Sequence, residues 1–205
     1  MQIYSQPYSR KTGRLHVTLT RKSDRFVLSV QSPYDRPETL YRLCAVLFVY
    51  DWTILHAHIH SLSADYTKAG IKDSFLIRPV EGHQVDELKF GSMMADLEML
   101  LFEQPVVSEY IQSRHGSADF TATGHGDVLF ELDGHQITTV TEDRHGIAME
   151  ICRIFVEHGL DIHEARLHTD VQKHVRDTFL IDANEKRLHD ARFRERLRAD
   201  MMRIL

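Results

Sequence analysis

The chain has 205 residues, 42% of them apolar and 27% charged, with a formal net charge of −5. That composition is ordinary for a folded globular protein, and the acidic balance argues against a general grip on nucleic acid, which needs a basic surface to displace counterions. No run approaches the roughly 18 apolar residues of a membrane-spanning helix, and the amino end, Met1–Pro7, lacks the apolar core of a signal peptide, so a cytoplasmic location is expected.

The first element read from the pattern is a hairpin. Leu15–Leu19 and Phe26–Val30 alternate apolar and polar residues around the polar turn Arg21–Asp24. Asp35-Arg36-Pro37-Glu38-Thr39-Leu40 then leads into a helix whose stripe is Leu40, Leu43, Cys44 and Leu47, with Pro37 suited to a helical first turn. Strands are expected over about 53–61 and 72–79, and a helix over about 86–102. Residues 103–126 resemble nothing else in the chain: a short helical candidate follows Pro105, and the polar run Gly116–Asp119 marks a linker.

After the linker the same order returns. Val128–Leu132 and Gln136–Val140 flank Asp133-Gly134, a strong hairpin signal. Asp143-Arg144-His145-Gly146-Ile147-Ala148 opens a helix with the stripe Ala148, Ile151, Cys152 and Phe155, which Gly159 is placed to end. Strands over about 161–169 and 175–182 precede a helix over about 187–203. In that helix Phe193, Leu197 and Met201 form the apolar stripe, while Arg192, Arg194, Arg196 and Arg198, interleaved with acids, read as a solvated face.

The chain therefore repeats itself. At an offset of 108, Leu43 falls on Ile151, Cys44 on Cys152, Ile54 on Ile162, Ala57 on Ala165 and Ile59 on Leu167; after a four-residue contraction Asp73 and Phe75 fall on Asp177 and Phe179. Two domains follow, 13–102 and 127–205, joined by the linker 103–126, each running strand, strand, helix, strand, strand, helix. In such an order the strand at the front takes the place of the closing strand of a β-α-β-β-α-β unit. The equivalent cysteines read as small buried hydrophobes, each facing its own core rather than bridged.

Two chemistries compete on these residues. His56, His58 and His60 share one face of a strand, opposite Leu55, Ala57 and Ile59, and adjacent histidines can chelate a divalent ion. The second copy carries Glu164, Arg166 and His168 there, which favours an exposed sheet face instead. No catalytic constellation emerges: Gly91-Ser92 lies too close to Asp96-Leu97-Glu98 for a metal-dependent transferase, His189-Asp190 stands alone, and phosphate-binding loops and nucleophile elbows are lacking. A non-enzymatic protein with no cofactor is expected.

The two turns, with Gly159-Leu160-Asp161-Ile162-His163 and Arg176-Asp177-Thr178-Phe179, resemble the ACT domain, a small regulatory module whose signature is Asp-x-Pro-Gly-x-Leu followed by Gly-x-x-Ile. The resemblance covers nearly the whole chain outside the linker and first dozen residues. A closer resemblance is to the paired ACT domains at the carboxyl end of the bacterial enzymes that uridylylate and deuridylylate PII proteins. It implies an α+β fold of two ferredoxin-like units, each a four-stranded antiparallel sheet with two helices. It also implies binding of an amino acid, glutamine in those paired domains, and signalling by self-association or through a partner enzyme in nitrogen metabolism.

On this resemblance Asp143, Arg144, His145 and Gly146 would orient the ligand carboxylate, at the unpaired amides and positive dipole end of a helix. Asp161 and Ile162 would lie on the adjacent strand edge, near the amino group. The first-copy equivalents are Asp35, Arg36, Pro37, Glu38, Thr53 and Ile54. There Glu38 replaces the glycine, adding bulk and negative charge, so the second turn is the expected site. A role in oligomerisation alone, with both turns serving only as helix entries, is the remaining alternative.

Overall fold

A computed structural model describes residues 7–60, 70–81, 85–116 and 124–205. Ser117–Asp119 of the polar run, the residue Ser61 at the end of one expected strand, and Met1–Gln6 lie outside the described residues. The fold is α+β, with nine strands in one antiparallel sheet and five α-helices among the described residues.

The first half contains β1 (Tyr8–Lys11), β2 (His16–Lys22), β3 (Arg25–Ser32), α1 (Thr39–Val49), β4 (Trp52–His60), β5 (Ile71–Pro79) and α2 (Glu87–Phe102). After α3 (Val107–His115) come β6 (Asp127–Glu131), β7 (Gln136–Glu142), α4 (Ile147–Glu157), β8 (Ile162–His168), β9 (His174–Ile181) and α5 (Ala191–Met202). The sheet order is β1-β2-β3-β5-β4-β8-β9-β7-β6. Each half thus repeats one arrangement, and the front strand of each hairpin, β2 or β6, does occupy a place beside the central strands. β1 has no counterpart in the sequence pattern because its alternation is too short to register; it pairs antiparallel with β2.

The halves join edge to edge. β4 pairs antiparallel with β8, His56 opposite His168, His58 opposite Arg166 and His60 opposite Glu164. His58 and Arg166 are separated by the repeat offset of 108, so equivalent positions face each other and the two halves are related by an internal pseudo-two-fold through that pair. The irregularities obey it too: register shifts fall between Ile54 and His56 in β4 and between Ile162 and Glu164 in β8. Leu55 is therefore the bulged residue and does not share the regular alternation of Ala57 and Ile59.

One apolar core runs through both halves, and this corrects the expectation of separate cores. α1 packs on α4 across the junction, where the thiols of Cys44 and Cys152, both free and buried, come close enough to influence each other. Burial first, then the neighbouring thiol, holds the Cys152 thiol well above the ordinary thiol range. Because α1 is covered by α2, α3 and α4 as well as by β4, its buried surface extends well beyond the expected stripe, from Thr39 through Phe48.

The linker is not a spacer throughout. α3 is pinned by the buried carboxylate of Asp96 on α2, which accepts from Tyr50 Oη and Tyr110 Oη, both at 3.0 Å, and pairs with Arg114 Nη2 at 2.9 Å. The last helix begins at Ala191 rather than at 187. A short 3-10 turn spans Lys186–His189, and Asp190 caps α5 by accepting from the Arg192 amide. Phe193, Leu197 and Met201 are buried along α5, whereas Arg192, Arg196 and Arg198 are exposed.

Candidate functional site

The two turns have the same backbone. Glu38 and Gly146 sit in the left-handed region at φ 72° and 87°; Thr39 N donates to Arg36 O as Ile147 N does to Arg144 O, and Arg42 N donates to Glu38 O as Glu150 N does to Gly146 O. Glycine adopts this conformation freely, whereas an L-residue costs about 1–2 kcal/mol. Glu38 therefore replaces glycine without changing the path of the chain.

Each turn closes on the other half of the molecule. The second turn lines a pocket with Thr53, Ile54, Phe48 and Cys44 from the first half and Thr169, Val175 and Asp177 from its own; Asp143, Arg144, His145 and Gly146 all contribute. The first turn, through Asp35, Arg36 and Glu38, lines a second pocket with Ile59 and Asp73 from its own half and Cys152, Leu160, Asp161 and Ile162 from the other. The expected grouping is thereby exchanged: Asp161 and Ile162 accompany the first turn, and Thr53 and Ile54 the second. Pro37 lines neither pocket.

The antiparallel β4–β8 pairing causes the exchange. It sets the start of each strand beside the end of the other, so Thr169 N donates to Leu55 O at 2.9 Å and Thr169 Oγ1 to Ile54 O at 3.2 Å. The β8–β9 turn in its place carries the second turn, Asp143 N donating to Lys173 O at 2.6 Å. Sequence alternation locates strands but does not reveal which edges meet.

A buried carboxyl stands at each pocket. Asp73 and Asp177 lie in phase with Phe75 and Phe179 on the covered face of the sheet, about 1% and 2% exposed. Their Oδ1 atoms accept from His60 N at 3.3 Å and from His168 N at 3.1 Å, again equivalent positions. Burial, countered in part by that amide and reinforced by Asp35 and Asp143 respectively, raises each to about 7. Asp73 Oδ2 has no hydrogen-bond partner among the described residues. Neither aspartate was singled out by sequence as a site residue, although an acid in register with buried aromatics is a legible anomaly.

Burial also raises Asp143, against the attraction of Arg78 and Lys173, and lowers Arg144. As they stand the cavities are narrow, about 30 Å³ at the second turn and about 20 Å³ at the first, near the size of a single water.

The histidine strand does not form a converging ligand set. His58 and His60 stack with ring centroids 6.4 Å apart, His56 and His60 meet His168 and His163 edge-on, and His58 Nε2 lies 3.5 Å from Glu164 Oε1. These side chains form a polar stripe across the β4–β8 seam on the exposed sheet face.

No family model matches the chain. It is similar to three proteins named bifunctional uridylyltransferase/uridylyl-removing enzyme. That of Nitrosospira multiformis is 25% identical over 177 residues, covering 83% of this chain and 19% of the relative; that of Ralstonia nicotianae is 28% identical over 163 residues, covering 76% and 18%. That of Thiobacillus denitrificans is 26% identical over 152 residues, covering 72% and 17%. The chain thus spans less than a fifth of the length of the curated relatives it matches. An unknown protein from Galdieria sulphuraria aligns over 86% of this chain and 92% of its own at 12% identity, with a TM-score of 0.29, too low to bear on the fold.

Proposed function

We propose that the chain is a regulatory protein built from two ACT-like, ferredoxin-like units, and that it senses a free amino acid rather than catalysing a reaction. The observation that carries this reading is that each strand-to-helix turn closes on the opposite half beside a buried carboxyl, at pockets related by the internal pseudo-two-fold. Ligand at such a junction touches both halves, so occupancy changes how they pack; signalling to a second copy or a partner enzyme would follow from that change.

The chemistry suits an α-amino acid. The first turn of α4 presents backbone amides and a positive dipole end to a carboxylate, aided by Arg144. Asp177 and Asp143 offer negative charge to the ammonium group a short distance away, and a bound ammonium would favour the ionised form of both. The second turn is the better binder: its glycine leaves the helix entry open, and it faces the neutral Thr53 where the first faces Asp161. The pocket must widen to admit the ligand, and α1 and α4, which meet across the junction, are the elements that move. Glutamine is the first amino acid to try, on the resemblance to the paired ACT domains and on the similarity to the uridylyltransferase/uridylyl-removing enzymes.

A thermal-shift screen of the free amino acids tests the reading, because a ligand that binds only the folded state stabilises it by RT ln(1 + [L]/Kd). One amino acid should raise the melting temperature at millimolar concentration, and Asp177→Asn should abolish the shift. If none does, the reading fails and association alone is left as the role of the fold.

A further inference from the structure

Outside the two pockets, another cluster is assembled by the tertiary structure. Asp51, His115 and His145 come from the end of α1, the end of α3 and the second turn, and one ligating atom of each lies within 4.8 Å of the others. His115 Nε2 is 3.7 Å and His145 Nε2 4.0 Å from Asp51 Oδ1. The Phe48 ring stacks against both imidazoles, with centroids 4.5 and 4.7 Å away, and holds them side by side. His145 Nε2 donates to the Phe48 carbonyl oxygen at 3.1 Å, a hydrogen bond that an ion bound at Nε2 would replace, leaving that oxygen beside the ion.

We propose that Asp51, His115 and His145 form a binding site for a transition-metal ion of the zinc class. Two imidazoles and one carboxylate suit Zn²⁺ or Co²⁺, whereas Mg²⁺ and Ca²⁺ call for oxygen ligands. Bonds of about 2.0–2.2 Å in tetrahedral geometry place neighbouring ligand atoms about 3.3 Å apart. The two histidine–carboxylate separations exceed that by less than 1 Å and all three ligand atoms lie within 4.8 Å of one another, so side-chain rotation brings them to bonding distance. Three protein ligands leave one position for water or the Phe48 carbonyl.

The supporting structure is firm where it matters. Asp51 sits at φ 59° just past the end of α1, its amide donating to Phe48 O and its carbonyl accepting from Val80 N. α3 is fixed one residue before His115 by the Arg114–Asp96 pair, and one helical turn earlier by Tyr110. A metal here would tie the linker helix, the first half and the second turn together. This inference does not depend on amino-acid binding, and its test reads metal alone.

The test is a titration of the full chain, freed of metal by dialysis against chelator, with ZnCl₂ by calorimetry and with CoCl₂ by visible absorption. One ion per chain should bind, with the d–d bands of a low-symmetry Co²⁺ site, and His115→Ala and His145→Ala should each weaken binding by more than the roughly 10- to 100-fold that loss of an outer-shell partner causes. His115 is exposed at a helix end, so His115→Gln serves as a second variant that keeps the fold, checked by circular dichroism. A triple His56→Ala/His58→Ala/His60→Ala variant should bind as well as the parent. Absence of saturable binding, or binding that survives His115→Ala and His115→Gln but disappears in the triple variant, overturns the proposal.

Discussion

The two turns share a backbone and differ in what holds their side chains. The first is braced within its own half: Thr39 Oγ1 donates to Arg36 O at 2.7 Å and accepts from Arg36 N, while Glu38 pairs with Arg42 at 2.7 Å. Arg42 in turn donates to the carbonyls of Leu100 and Pro105. The second is likewise tied to the end of its own half, Arg144 donating to Ile204 O at 2.7 Å, but also reaches across the junction, His145 bonding to Phe48 O in the other half. Duplication therefore kept the frame while redistributing the contacts. A turn braced within its own half can keep its shape when the junction shifts, whereas one that bonds across the junction moves with it, which marks the second turn as the one able to report on the junction.

The largest effects should come from the buried acids the turns share. Between about pH 4 and 7 the unfolded chain has released the protons of Asp73 and Asp177 while the folded chain keeps them, so the native state binds more protons and stability falls as pH rises, levelling off above about 7. Each shift corresponds to an upper limit of roughly 4 kcal/mol. Urea unfolding at pH 5 and pH 8 should show ligand-free stability lower at pH 8, and Asp73→Asn and Asp177→Asn should each remove about half of that difference. Equal losses would mean the pockets are electrostatically alike despite their different turns; a loss confined to one would locate the asymmetry in the acids.

How far the site was legible follows from this. The repeat, the order of elements, both hairpins and both turns are written locally, in alternation, helical spacing and turn residues, and the structure places them where those signals fall. The meeting of Cys44 with Cys152, and of Thr53 with Asp143, depends on which strand edges pair, and alternation is the same for an edge strand as for an interior one. Asp73 and Asp177 were visible as acids in a buried register, and only the fold shows that each stands at a pocket. His115 had no counterpart in the other copy to mark it, so its approach to Asp51 and His145 could be found only in three dimensions.

A middle-sized effect separates the halves by their flanks. Asp96 serves the first half alone, and Tyr110→Phe removes one of its two hydroxyl donors, leaving Tyr50 and Arg114 in place. The expected loss is about 1–2 kcal/mol by denaturant unfolding, with the larger loss for Arg114→Ala if the ion pair is the firmer anchor. Neither variant touches a pocket-lining residue. The amino-acid-dependent thermal shift should therefore persist in both, and its disappearance would show that α3 controls the second turn.

The smallest change in stability, that of Glu38→Gly, and the sharpest test of the comparison come from exchanging the residues at the left-handed position. Gly146→Glu forces an L-residue to φ 87° and should cost about 1–2 kcal/mol, whereas Glu38→Gly relieves the same strain but gives up the Arg42 pair, so its net effect should stay within about 1 kcal/mol. Binding should respond more than stability does. Calorimetry with the stabilising amino acid should find one site in the parent chain and none in Gly146→Glu. Glu38→Gly combined with Asp161→Thr, which copies both features of the second pocket into the first, should raise the stoichiometry to two. If the double variant still binds one equivalent, glycine and the neutral strand start are not what distinguishes the pockets, and the difference lies instead in the bond from His145 across the junction.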